Sequence, residues 1–199
     1  MNFDSVVAPY RTGLIELESV VRATELEAIS GSNDSVLVIN NINFFTKSFL
    51  ISACAHLEMC VKDVVFAAAG DIDLRLSAAS IPTSIIEWRY SQKKKNDSGN
   101  PSPTCFAVGM TKKEVDDLVS GNVYRTKDAL ALVGVDLTID KPQWEAWKEL
   151  IQSIVTRRND IVHHNDDASD ISLGDVRKSI DSVVKYIDFI VASCKTAYS

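Results

Sequence analysis

Residues 35–69 constrain the fold more than any other part of this 199-residue chain. Phe44, Phe45, Phe49, Leu50, Ile51, Ala53, Cys54, Leu57, Met59, Val61, Val64, Val65 and Phe66 are spread over nearly every side of a single long helix. A helix without a polar face has to be central, covered from more than one direction. Other helices must wrap it, and the flanking sequence offers them. Val6, Val7, Tyr10, Leu14, Leu17, Val21 and Ile29 recur at three- and four-residue spacings and form one apolar stripe on a long first helix. Trp144, Trp147, Leu150, Ile151, Ile154, Val155, Ile161 and Val162 trace another, with Pro142 at its N1 position. Val176, Ile180, Val183, Val184, Ile187, Ile190 and Val191 give a last stripe over 173–197.

Punctuation between these stripes sets the order of the elements. Gly31-Ser32-Asn33-Asp34 reads as a helix stop and a new N-cap. Asn40-Asn41-Ile42-Asn43 marks a local irregularity in the central helix, and Gly70-Asp71 its end. A shorter helical segment follows over 71–91, restarted at Pro82, and 92–103 form a polar Gly/Pro-rich loop. Short helices are expected over 111–120, with a Thr111–Glu114 capping box, and over 126–133. Leu137-Thr138-Ile139 reads as a brief extended connector, and 165–170 as a helix break. The chain shows no internal repeat and no glycine punctuation of a Rossmann or P-loop unit. The expectation is one all-α domain over 1–199: an antiparallel bundle of four long helices with an insertion of short helices and loop at about 91–142.

A net charge of −6 argues against a protein that coats nucleic acid through a broad basic surface, but leaves room for a small basic site. The cysteines, Cys54, Cys60, Cys105 and Cys194, form no CxxC pair and no metal-ligand spacing, so reduced thiols and a cytoplasmic location are expected. The first residues lack the pattern of a signal peptide, and no apolar run reaches membrane-spanning length.

Against this background one stretch stands apart. Thr156-Arg157-Arg158-Asn159-Asp160-Ile161-Val162-His163-His164 holds two of the three histidines and two adjacent arginines. Arginine presents a planar fork of donors to phosphate, and histidine exchanges protons near neutrality, so the cluster is a candidate site for binding and cutting a phosphodiester. Arg158 and His163 are five positions apart, which on an ideal helix is a rotation of about 140° and a rise of about 7.5 Å. They share a site only if the helix loosens near His163 or if a second copy of the chain completes it across a two-fold axis. A cation is also favoured at a helix C-terminus, which suits a histidine that donates a proton.

Arg158-Asn159-Asp160-Ile161-Val162-His163 resembles the R-φ-x-x-x-H signature of HEPN domains, whose residue after the arginine is polar, here Asn159. Ala53-Cys54-Ala55-His56-Leu57-Glu58-Met59-Cys60-Val61-Lys62-Asp63 resembles the second-helix pattern of the RiboL-PSP and MAE-28990 branches of that superfamily. The resemblance implies a metal-independent endoribonuclease without cofactor, acting as a homodimer, in which the ribose 2′-OH attacks the adjacent phosphate. It implies His163 as general acid or base, Arg158 as phosphate ligand and Asn159 as the orienting residue. It further implies a toxin or anti-phage effector, restrained by an antitoxin or other regulatory protein. A non-catalytic HEPN-like module that binds a partner protein or a nucleotide is the alternative, which the acidic balance favours mildly.

Plainer readings compete at each residue. Arg158 and His163 can cap a helix end and pair with Asp160, Asp166 or Asp167. Glu58, inside an apolar helix, needs a partner, and Arg157 or Arg158 is the candidate. His164 reads as an exposed neighbour, His56 as a core or interface histidine, and Trp144 and Trp147 as core. Lys93-Lys94-Lys95 reads as a solvated loop that can reach an RNA backbone. His163 and His164 point apart on one element and do not suggest a metal site.

Overall fold

A computed structural model describes residues 1–30, 35–91, 108–164 and 167–199, and these contain eight helices and no strand. Helix α1 spans Phe3–Ser30, α2 Val36–Asn40, α3 Ile42–Ala79, α4 Thr83–Ser91, α5 Lys112–Leu118, α6 Val123–Leu132, α7 Lys141–His164 and α8 Leu173–Ala197. The stop read at 31–34, the loop at 92–103 with Lys93, Lys94 and Lys95, and Cys105 lie outside the described residues.

α3 is the centre, as its composition demands. Leu50, Ala53, Leu57, Val61, Val64, Val65, Ala68 and Ala69 are all buried along it. α1 runs antiparallel to α3, with the Tyr10 hydroxyl donating to Asp63. The His56 side chain packs on α1 at Gly13, where an added Cβ would stand 2.6 Å from its Nε2. Nδ1 of His56 lies 2.8 Å from the carbonyl of Ser52 on its own helix. α8 returns antiparallel to α1, tied by Lys195 to Asp4 at 2.6 Å and by Arg177 to Glu18 and Glu25 at 2.7 and 3.2 Å. α7 lies antiparallel to both α3 and α8: the backbone N–H of Ala168, just beyond α7, donates to Asn43 Oδ1 at 2.9 Å, and Trp147 packs on Tyr186 at 6.1 Å. The four long helices therefore alternate in direction through the bundle.

α5 and α6 do not hang free. Val115, Val119, Val123 and Leu130 are buried in the same core as α3 and α8. Thr111 and Glu114 form the expected capping box of α5. Asn122 caps α6 three residues earlier than the expected start, accepting from the N–H groups of Tyr124 and Arg125 at 2.9 and 3.2 Å.

Several expectations need correction. The central helix breaks at Asn41, as the asparagines suggested, but it does not end at Gly70-Asp71; it runs nine residues further, to Ala79. A mid-helix glycine costs only about 1 kcal/mol. Beyond it, Ile72 packs on the core, Arg75 pairs with Asp71 at 3.0 Å, and the Arg75 guanidinium stacks 4.9 Å from the Tyr198 ring. The real stop is Ser80, in the left-handed region at φ 49°, followed by Pro82. Ile29, read into the stripe of α1, is 76% exposed: it lies eight residues past the buried Val21, about 80° around the helix. Leu137-Thr138-Ile139 is a turn in which Asp136 accepts from the Thr138 N–H at 2.8 Å, not an extended connector. Pro142 is the second residue of α7, and Asp140 caps it, accepting from the Gln143 N–H at 3.1 Å.

α8 begins with a reciprocal cap: Ser172 accepts from the Asp175 N–H at 3.0 Å, and its hydroxyl donates to the Asp175 carboxylate at 2.7 Å. Hydrogen bonds from Ser172, then from Lys178, hold the Asp175 carboxyl down to about 2. Its folded value is depressed, so its contribution is present above the ordinary carboxylate range and is lost as pH falls toward 2. Ser172→Ala is expected to cost about 1 kcal/mol at neutral pH. In urea melts the gap between wild type and Asp175→Asn should be widest above pH 5 and close between pH 4 and 2.

Candidate functional site

The polar face and the buried face of α7 diverge where the Arg–His motif begins. Ile151, Ile154, Val155 and Ile161 are buried, and Arg158 follows Ile151 by seven residues, about 20° away around the helix. Arg158 therefore continues the core-facing stripe, half-buried against α3. Its guanidinium acts on the Cys54 thiol, yet burial outweighs that attraction and pushes Cys54 up to about 11, an inert protonated thiol. One arm of Arg158 donates to Asn159 Oδ1 at 3.0 Å. Its Nε is buried and has no hydrogen-bond partner among the described residues, and the side chain makes no ion pair there.

His163 lies on the other side. α7 stays helical through His164, so the loosening considered above does not occur. His163 is exposed and stands about 140° from Arg158 on an ideal helix. Within one chain the structure does not bring the two onto one face. Asn159 and Asp160 are half-buried between them. The side chain of His164 lies outside the described residues.

Arg157 and Glu58 take other roles from those the sequence suggested. Arg157 donates to the carbonyl of Asp167 at 2.6 Å and pairs with Asp170, so it fastens the turn after α7. Glu58 pairs with neither arginine. It bonds Lys62 one turn on at 3.0 Å, and Lys62 also reaches Asp116 of α5 at 3.0 Å. Burial works against the charge of Lys62, but the hydrogen bonds to Glu58 and Asp116 raise its proton affinity. An i, i+4 partner on the same helix needs no rotation of α3, which is why Lys62 wins over the arginines. Glu58 also approaches the α5–α6 junction, its Oε2 standing 3.9 Å from where a Gly121 Cβ would be.

The exposed side of α7 carries a feature that the sequence reading missed. Glu149, Gln152, Ser153, Thr156 and Asp160 line a cleft of about 510 Å³, closed on one side by Tyr124 of α6 and bordered by Lys148 and Arg157. The signal was a polar stripe at helical spacing, hidden because its opposite wall comes from another helix. His163 follows Thr156 by seven residues and so stands about 20° from the line of the cleft floor. No group of three or more His, Cys, Asp or Glu suited to a metal occurs among the described residues, and none of the described helices is long and apolar enough to cross a membrane.

Arg157→Ala is expected to lower stability by about 1–2 kcal/mol through loss of the turn contacts, seen as a lower denaturation midpoint. Arg158→Met, which removes a half-buried charge but keeps the apolar stem, is expected to leave the midpoint within about 1 kcal/mol of wild type.

No curated protein and no solved structure matches the chain. A family match covers nearly all of it: the RiboL-PSP-HEPN model aligns with residues 18–196, from the middle of α1 to the end of α8. With the all-α bundle and the Arg158–His163 motif on its penultimate helix, the chain belongs to the RiboL-PSP-HEPN family.

Proposed function

We propose that the chain is a metal-independent endoribonuclease whose active site forms between two copies. The observation that carries this reading is the division of labour along α7: Arg158 half-buried with an unused Nε, His163 exposed at the helix end. The chemistry needs one group to take the proton of the ribose 2′-OH and another to protonate the departing 5′-oxygen. The 2′-oxygen forms its bond to phosphorus as the phosphorus–5′-oxygen bond breaks, which leaves a 2′,3′-cyclic phosphate and a 5′-hydroxyl. A single chain offers one histidine in the motif position, and a pair offers the base and the acid together. Arg158 would hold the phosphate and offset its growing charge, and Asn159 would keep that guanidinium aimed through the 3.0 Å hydrogen bond.

A surface for the second copy lies at the same end of the bundle. Val36, Leu37, Ile39, Ile42 and Phe44 are all exposed on α2 and the first turn of α3, next to the Asn43–Ala168 bond that fixes the end of α7. Val162, beside His163, is 45% exposed. An apolar surface of this extent is expected to be covered in the working assembly. The family suggests a toxin or anti-phage role in the cytoplasm, under control of an antitoxin or regulatory protein. The alternative, a non-catalytic module that binds a partner or nucleotide, draws support from the net charge of −6.

Incubated with RNA in EDTA, the protein is expected to yield 2′,3′-cyclic phosphate ends. His163→Ala and Arg158→Ala should each cut about 10²–10³-fold more slowly; undiminished cutting by His163→Ala excludes the mechanism. Phe44→Asp with Leu37→Asp should yield a monomer by analytical ultracentrifugation, and RNA cutting should fall with the loss of the dimer.

A further inference from the structure

Two cations stand out by what they lack. Among the described side chains, Arg11, Lys62, Lys127, Lys148, Arg157 and Arg177 are half-buried, and each forms an ion pair. Arg158 and Lys47 are half-buried too, and neither pairs with a carboxylate there. Lys47 makes no hydrogen bond there either. A cation drawn partly out of water is costly until an anion or hydrogen bonds replace its hydration. In a chain of net charge −6 carboxylates are not scarce, so the gap at these two positions is specific.

The register of α3 against α7 puts both on one groove. At one end Asn43 Oδ1 accepts from the Ala168 N–H at 2.9 Å. At the other, Glu58 and Val155 meet beside Gly121, where an added Cβ would stand 3.9 Å from Glu58 Oε2 and 3.4 Å from Val155 Cγ1. Lys47, one turn along α3 from Asn43, is therefore level with the last turn of α7, which carries His163. It lies about 40° around α3 from Asn43 and about 20° from Cys54. Arg158 acts on the Cys54 thiol, so Lys47 stands on the side of α3 that α7 covers. The seven residues from Lys47 to Cys54 set the two cations about 10.5 Å apart along the groove. Two acids that follow α7 are taken: Asp170 pairs with Arg157, and Asp167 Oδ1 accepts from the Ser169 N–H at 3.2 Å.

We propose that Lys47 is a second phosphate ligand of the site, holding a phosphate of the RNA strand next to the one at Arg158, so that the strand runs along the α3–α7 groove toward the end of α7. The inference rests on the ribonuclease reading for the identity of the polyanion. The two side chains suit different tasks: the planar fork of Arg158 orients the scissile group, and an ammonium on a flexible stem follows a backbone as a point charge. A phosphate contact carries no sequence information, so Lys47 adds affinity without base preference.

The test uses the full chain, a mixed-sequence RNA with its cut sites mapped, and a fluorescent 2′-O-methyl RNA dodecamer, which lacks the attacking hydroxyl. Lys47→Met keeps the apolar stem, so it should melt and sediment with the wild type. It is expected to cut the same sites with kcat/KM about 10-fold lower, the loss carried by KM. Across a salt series its affinity for the dodecamer should lose about 0.7 from the slope of log affinity against log salt, the share of one phosphate contact on a single strand. Lys47→Arg, which keeps the charge, should restore both. If Lys47→Met keeps the wild-type slope and kcat/KM, Lys47 is no ligand and the ribonuclease reading stands. If Lys47→Met sediments as a monomer where the wild type is a dimer, Lys47 belongs to the interface and the proposal is overturned. If the wild type binds the dodecamer but cuts no RNA, the ribonuclease reading fails by itself and the salt slope decides Lys47. A wild type that does not bind the dodecamer overturns the proposal.

Discussion

A guanidinium pressed against the apolar flank of α3 is the contact on which the candidate site depends. A charge taken out of water is costly unless hydrogen bonds or an opposite charge replace its hydration. Among the described residues Arg158 has only the Asn159 amide and no ion pair. The neighbouring arginine shows the contrast: Arg157 is committed to Asp170 and the Asp167 carbonyl. Adjacent in sequence and about 100° apart on the helix, the two arginines have different fates because one faces the core and the other faces the turn. What lets Arg158 sit there is the position of α3, fixed in turn by the layers that bury it on several sides.

Much of the fold was legible because burial imposes a period on sequence. Val7, Leu14 and Val21 on α1, and Val176, Ile180, Val183 and Ile187 on α8, are buried as their spacing requires. Ile29 was read into the same stripe and is exposed, since a spacing of eight residues from Val21 turns it about 80° off the buried line. Gly70 looked like a stop because propensity is local, whereas beyond it Ile72 packs on the core and Arg75 meets Tyr198 at the distant C-terminus. Glu58 was matched to an arginine across the bundle when a lysine one turn away was nearer.

The site was legible in a more limited way. The five-residue spacing of Arg158 and His163 already places them on different faces, and the unbroken helix to His164 agrees. Which of the two faces inward follows from Ile151, seven residues before Arg158. The cleft was not legible, because Tyr124 and Gln152 are 28 positions apart on different helices (152 − 124) and only the docking of α6 on α7 joins them. Much of the positive charge of the chain is likewise spent internally: Lys62, Arg75, Arg177, Lys185 and Lys195 all form ion pairs.

The opposed directions of Arg158 and His163 have a consequence for dosage. If phosphate clamp and proton carrier must come from different copies, a lone protomer is silent by construction, with no inhibitor needed. At dilute levels the population of pairs grows with the square of protomer concentration, by mass action. A few stray molecules would then be tolerated, while a modest rise in synthesis would be felt out of proportion. The angle between two side chains on one helix would set a threshold on abundance.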